Sequence, residues 1–119
     1  MTVFDPKTAT HAECELHIIC QFATVALEKG FTISVCDGED WTLVRSRDLS
    51  VIMGALRTTD EDWLAVRDPT LKGKRVGVVQ CVYGNEPWVV IADYSDNEAM
   101  RELIQPAEIA AKQIEEARS

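Results

Sequence analysis

The chain has 119 residues, 46% of them hydrophobic, with a formal net charge of −8 from 12 Lys and Arg against 20 Asp and Glu. That length and apolar content fit one domain with one core (1–119) and exclude a disordered chain. The acidic balance repels phosphate backbones and anionic lipid on average, so neither direct nucleic-acid binding nor membrane binding is expected.

The first predicted element is a helix starting near Thr10. Thr10 and Glu13 make a capping box, with Pro6 upstream. Leu16, Ile19, Ala23 and Leu27 recur at helical spacing, and Ile18, Phe22 and Ala26 widen the stripe, which predicts a well-buried helix. Gly30 is placed to end it. A strand follows at 31–36, where Phe31, Ile33 and Val35 alternate with Thr32 and Ser34. Asp37-Gly38 signals a hairpin, and a second strand runs from Trp41 to about Arg45.

A short helix comes next, capped by Ser46 or Asp48, with Leu49, Ile52, Met53 and Leu56 on one face. Strands are predicted at 63–67, 75–83 and 88–94, separated by a loop holding Pro69 and Gly73 and by the turn Gly84-Asn85-Glu86-Pro87. The last helix starts at Ser95 or Asp96 with Glu98 completing a capping box. Met100, Leu103 and Ile104 face inward, and Pro106 predicts a kink or a restart. The fold class is therefore α+β, in the order αββαβββα. It has a five-stranded, mostly antiparallel sheet and helices at both ends. The middle helix crosses between the second and third strands, which makes those two parallel.

This connectivity puts three turns at one end of the sheet. They carry Asp37, Glu39, Asp40, Asp60, Glu61, Asp62 and Glu86, with no Lys or Arg inside them. The opposite end collects Arg45, Arg47, Arg67, Lys72, Lys74 and Arg75 together with several aspartates. An acidic rim attracts a basic partner surface and speeds encounter, although Asp, Gly and Asn also make turns for local reasons. The seven acidic residues are the candidate partner-binding set.

Chemical motifs are sparse. His11, Cys14, His17 and Cys20 form an HxxCxxHxxC run of soft ligands. On one helix each three-residue step turns the side chain by about 60°, so the four cannot reach one zinc ion. Cys14 and His17 are one turn apart, which allows a thiol–imidazole pair or part of a metal site. No CxxC, phosphate loop, GxGxxG, HExxH or GxSxG occurs. No catalytic residue, metal or cofactor is expected. The cysteines are read as reduced, with Cys36 and Cys81 packed in strands. Trp41, Trp63 and Trp88 are expected in the core rather than as a base-stacking platform. Asp93, Asp96 and Glu98 sit around Tyr94, where carboxylates suit a hard cation, but capping of the last helix accounts for Asp96 and Glu98.

One internal echo stands out. Glu39-Asp40-Trp41-Thr42-Leu43-Val44-Arg45 matches Glu61-Asp62-Trp63-Leu64-Ala65-Val66-Arg67 at Glu, Asp, Trp, Val and Arg. Two strands that begin alike account for it, because a single repeat is too few for a repeat architecture.

The segments Thr59 to Leu64, Gly73 to Gly77, Tyr83 to Glu86 and Ile91 to Tyr94 resemble small uncharacterised proteins of bacteriophages and related mobile elements, over roughly residues 49–96. The resemblance implies a cytoplasmic setting in a bacterium and a role in host interaction, and it implies no catalytic residues. The expected function is a non-enzymatic acidic interaction module, a phage-type inhibitor or modulator. It would dock on a basic, nucleic-acid-binding surface of a host defence or regulatory protein. Two other classes compete. One is a small acidic chaperone of the secretion type, whose element order differs. The other is a metal- or thiol-dependent enzyme using Cys14 and His17.

Overall fold

The computed structural model describes residues 3–119. Helix α1 (His11–Glu28) begins with Thr10 Oγ1 accepting from the Glu13 N–H at 3.1 Å, while Glu13 Oε1 accepts from the Thr10 N–H at 3.1 Å. Both halves of the capping box are thus closed. At its other end Gly30 takes a φ of +88°, its N–H donates to Leu27 O, and the Phe31 N–H donates to Ala26 O. That is a Schellman turn, which only a residue tolerant of positive φ completes at low cost.

Five strands form one sheet: β1 (Thr32–Cys36), β2 (Trp41–Ser46), β3 (Glu61–Asp68), β4 (Lys74–Val82) and β5 (Ile91–Tyr94). Helix α2 (Leu49–Gly54) lies between β2 and β3, and α3 (Glu98–Arg118) follows β5. The spatial order is β2-β1-β3-β4-β5, and every bonded pair is antiparallel. Strand β1 sits between β2 and β3. Those two run in the same direction, as a helical crossover requires, yet they share no ladder.

Register divides the sheet into two faces. Ile33, Val35, Leu64, Val66, Val79 and Cys81 are buried toward the helices, where they meet Ile18 and Phe22 of α1, Ile52 of α2, and Leu103 and Ile104 of α3. Gly77 lies on this side because α3 leaves no room for more: a Cβ there would stand 2.7 Å from Met100 Sδ. Among the described residues no helix packs on the other face, which presents Cys36, Trp63, Ala65 and Arg67. An antiparallel sheet tolerates this because alternate residues point to water.

Several boundaries differ from the periodicity; β3, for one, begins at Glu61 rather than Trp63. The segment 88–90 is not strand: Pro87–Val89 make a single 3-10 turn, closed by the Val89 N–H on Glu86 O at 3.0 Å, and β5 starts at Ile91. Proline at the first turn position fixes φ and removes a ladder donor, which favours the turn. Helix α3 is capped by Asn97, whose Oδ1 accepts from the Met100 N–H at 2.9 Å, rather than by Ser95 or Asp96. It then runs unbroken through Pro106. Met100, Leu103, Ile104, Ala107, Ala110 and Ile114 form one buried stripe along it, and α3 packs against α1. Burial of that stripe outweighs the hydrogen bond lost at proline. No helix among the described residues is long and apolar enough to cross a membrane.

Candidate docking rim

The β1–β2 turn and the segment leading into β3 meet at one end of the sheet. Asp37, Gly38, Glu39, Thr59, Asp60 and Glu61 line an open concavity of about 400 Å³ there. Asp37 organises its own turn: Oδ1 accepts from the Glu39 N–H at 3.0 Å and the Asp40 N–H at 2.8 Å. The N–H groups of Asp40 and Glu39 hold its carboxyl below the usual carboxylate range. Thr59 ties the two segments together, with its hydroxyl 3.2 Å from the Asp37 carbonyl and 2.8 Å from the Glu61 carbonyl. The third turn joins through the Tyr83 N–H, which donates to Asp60 O at 3.0 Å. Glu61 is half-buried and accepts from Gln80 Nε2 at 3.2 Å.

Four of the seven candidate residues, Asp37, Glu39, Asp60 and Glu61, thus line one concavity, and Asp40 follows in the β1–β2 turn. Glu86 is exposed on the β4–β5 connection, at the same end but outside the concavity. Among the described residues, no basic nitrogen comes within 4.0 Å of a carboxylate oxygen of these six. Nor does any group of three or more His, Cys, Asp or Glu side chains among the described residues stand in an arrangement that holds a metal ion.

Asp62 does not belong to the rim. Register places it opposite Cys81, on the helix side of the sheet, and it is fully buried. Its Oδ2 accepts from the Tyr83 hydroxyl at 2.6 Å and the Arg57 N–H at 2.8 Å, while Oδ1 has no partner. Burial raises the Asp62 pKa, against the Tyr83 and Arg57 hydrogen bonds that lower it. The strand's alternation overrides its acidic neighbourhood: an odd–even step from Glu61 moves the next side chain to the opposite face.

Beside Asp62 lies a charged group that periodicity does not reveal. Glu15 is fully buried in the apolar stripe of α1. Its Oε1 accepts from Arg57 Nε at 2.9 Å and its Oε2 from the Gly84 N–H at 3.0 Å, with His11 Nε2 3.3 Å from Oε2. Arg57 adopts a φ of +63° in this arrangement. Arg57 therefore turns inward to a buried carboxylate rather than outward to the rim. A glutamate interrupting an apolar helical stripe was the available sequence signal for it.

The HxxCxxHxxC run spreads around α1. Cys14 is buried and its Sγ lies 3.6 Å from Arg118 Nη1, while His17 stacks on Phe4 with ring centroids 3.8 Å apart. The two side chains have separate partners. Burial raises the Cys14 thiol pKa and lowers that of His17, which favours the uncharged form of each. Cys81 is buried as expected, whereas Cys36 lies half-buried on the open sheet face. The tryptophans also depart from the expected core positions. Trp88 packs at the core's margin, but Trp41 is 49% exposed, and Trp63 is half-buried on the open face. Trp41 stands on the edge strand β2, paired with Cys36.

No family model, curated protein or solved structure matches this chain.

Proposed function

We propose that the chain is a non-enzymatic protein-interaction module whose acidic rim docks on a basic protein surface, in the manner of a phage-type inhibitor or modulator acting on a nucleic-acid-binding host protein. The observation that carries this reading is the concavity in which Asp37, Glu39, Asp60 and Glu61 converge with no cation within 4.0 Å among the described residues. Carboxylates gathered without counter-ions project a negative field that steers a basic partner. Backbone hydrogen bonds hold Asp37 ionised, and Thr59 holds the two segments in place, so the charges are presented by an ordered surface. Rigid presentation lowers the ordering cost of binding.

The test is affinity capture from bacterial lysate, followed by salt titration of the captured complex. Glu39→Lys with Asp60→Lys should abolish capture, and affinity should fall steeply between about 0.05 and 0.5 M salt, as screened charge contacts do. Capture indifferent to both the double reversal and the salt would overturn the reading.

A further inference from the structure

The end of the open sheet face away from the acidic rim has the opposite character. Arg67 of β3 and Arg75 of β4 are direct cross-strand partners. Like charges placed opposite one another on neighbouring strands repel. A third arginine joins them through an irregularity in β2. Leu43 pairs with Val35 and Ser46 with Ile33, so Val44 and Arg45 share the single opposing residue Ser34. This is a bulge, and it turns both side chains toward the open face. Arg45 takes a φ of +50°, and its N–H donates to Ser34 Oγ at 2.8 Å.

The three arginines, with Ser34, Trp41 and Val44, line one concavity of about 210 Å³. Arg67 Nη1 donates to Gly73 O at 3.0 Å, and Arg45 Nη1 reaches to 3.5 Å from the space beside the Gly73 Cα. Two guanidinium groups are thus drawn to the same turn. Among the described residues no carboxylate oxygen lies within 4.0 Å of any of the three, in a chain with 20 Asp and Glu. An acidic protein that assembles three unpaired arginines around a half-exposed indole accepts local repulsion that a bound anion would relieve.

We propose that this concavity binds a phosphate-bearing ligand of the nucleotide class, with its phosphates on Arg45, Arg67 and Arg75 and its base on Trp41. Charge matching favours phosphate over a single carboxylate. A phosphate monoester carries about −1.5 to −2 at neutral pH, and arginine forks fit its oxygens in pairs. The concavity is smaller than the roughly 300–1,000 Å³ of sites that enclose a whole ligand. It holds the phosphates and leaves the planar ring to lie on the exposed Trp41 face, where any base stacks. This site is separate from the acidic rim and does not depend on it.

Calorimetry and tryptophan fluorescence with ADP, pyrophosphate and adenosine on the full chain test the proposal. ADP should saturate one site and quench fluorescence, pyrophosphate should bind roughly tenfold or more weaker, and adenosine should not bind. Arg75→Gln should weaken ADP and pyrophosphate alike by roughly tenfold or more. Trp41→Ala should remove the preference for ADP while leaving pyrophosphate binding intact. Arg75 is exposed, so its replacement leaves the core closed. Relief of the Arg67–Arg75 repulsion should leave the melting temperature unchanged or higher. Absence of saturable ADP and pyrophosphate binding at low salt, undiminished binding in Arg75→Gln, or a polyglutamate peptide that displaces ADP and binds more tightly would each overturn it.

Discussion

Trp41 and Trp63 occupy one row of the sheet, each the direct cross-strand partner of Cys36 on β1. Strands β2 and β3 run in the same direction on either side of β1, so the sequence echo between Glu39–Arg45 and Glu61–Arg67 becomes a spatial one. Its glutamates, Glu39 and Glu61, line the acidic concavity, and its arginines, Arg45 and Arg67, line the basic one. The tryptophan row separates the two. The open face is thereby polarised from acid to base along the strands.

Exposure of Trp41 sets a stability expectation. Replacing a buried aromatic such as Phe22 by alanine costs about 3–5 kcal/mol. Trp41 is 49% exposed, and Trp41→Ala should cost about 1 kcal/mol or less. Denaturant unfolding of Phe22→Ala and Trp41→Ala checks this. Equal losses would place Trp41 in the packing rather than on a binding face.

The buried Glu15–Arg57 pair should behave as a coupled unit. Glu15→Ala strands the Arg57 guanidinium and the Gly84 N–H, for a loss of about 3 kcal/mol. Arg57→Ala should cost at least as much, because it leaves the fully buried Glu15 carboxylate without its cation. The Glu15→Ala, Arg57→Ala double variant should lose less than the sum of the two single losses, since it leaves neither charge buried alone. A double-mutant cycle measured by urea unfolding reads this coupling, and strict additivity would contradict it.

Charge crowding at the rim should appear as salt dependence. Raising ionic strength from about 0.01 M to about 0.15 M shortens the Debye length from about 30 Å to about 8 Å. The native protein's melting temperature should therefore rise with added sodium chloride. Glu39→Gln with Asp60→Asn should start higher and rise less. Asp37→Ala should move the other way and lower the melting temperature, because Asp37 Oδ1 accepts two turn N–H groups. Thermal melts across a salt series distinguish the two behaviours.

Two groups give opposite pH slopes. Burial depresses the His17 pKa in the folded chain. The unfolded state then binds more protons between the folded pKa and about 6.5, so His17 stabilises fully above that range and its contribution is lost as pH falls through it. His17→Phe keeps a ring against Phe4 and should flatten this slope. Asp62 is raised by burial. Its folded form binds the proton more tightly, so stability is greatest below the ordinary carboxylate range and declines as pH rises through the folded pKa. Asp62→Asn should remove that decline. Chemical unfolding from pH 3 to 8 reads both contributions, and unchanged slopes in the two variants would reject these assignments.

Local signals carried most of the architecture. Thr10 with Glu13 and Gly30 mark both ends of α1, and alternation in 31–36 and the valines of 75–83 mark the strands. Turn residues placed three acidic connections at one end, and four of the seven acidic residues line one concavity there. The misplacements share a cause. Asp62 sits in an acidic run, yet β3 alternation sends it inward. Trp41 is apolar and aromatic, yet it stands half-exposed on an edge strand. Neither the face nor the edge is encoded within a few residues.

By itself the sequence determined the elements, their order and the net charge, because caps, turns and periodicity act over one or two turns of chain. Tertiary structure alone decided that β1 inserts between β2 and β3, that Glu15 finds Arg57, and that Arg45, Arg67 and Arg75 meet. Those outcomes depend on strand pairing across long sequence separations, where the burial of a whole face, rather than any local preference, selects the arrangement.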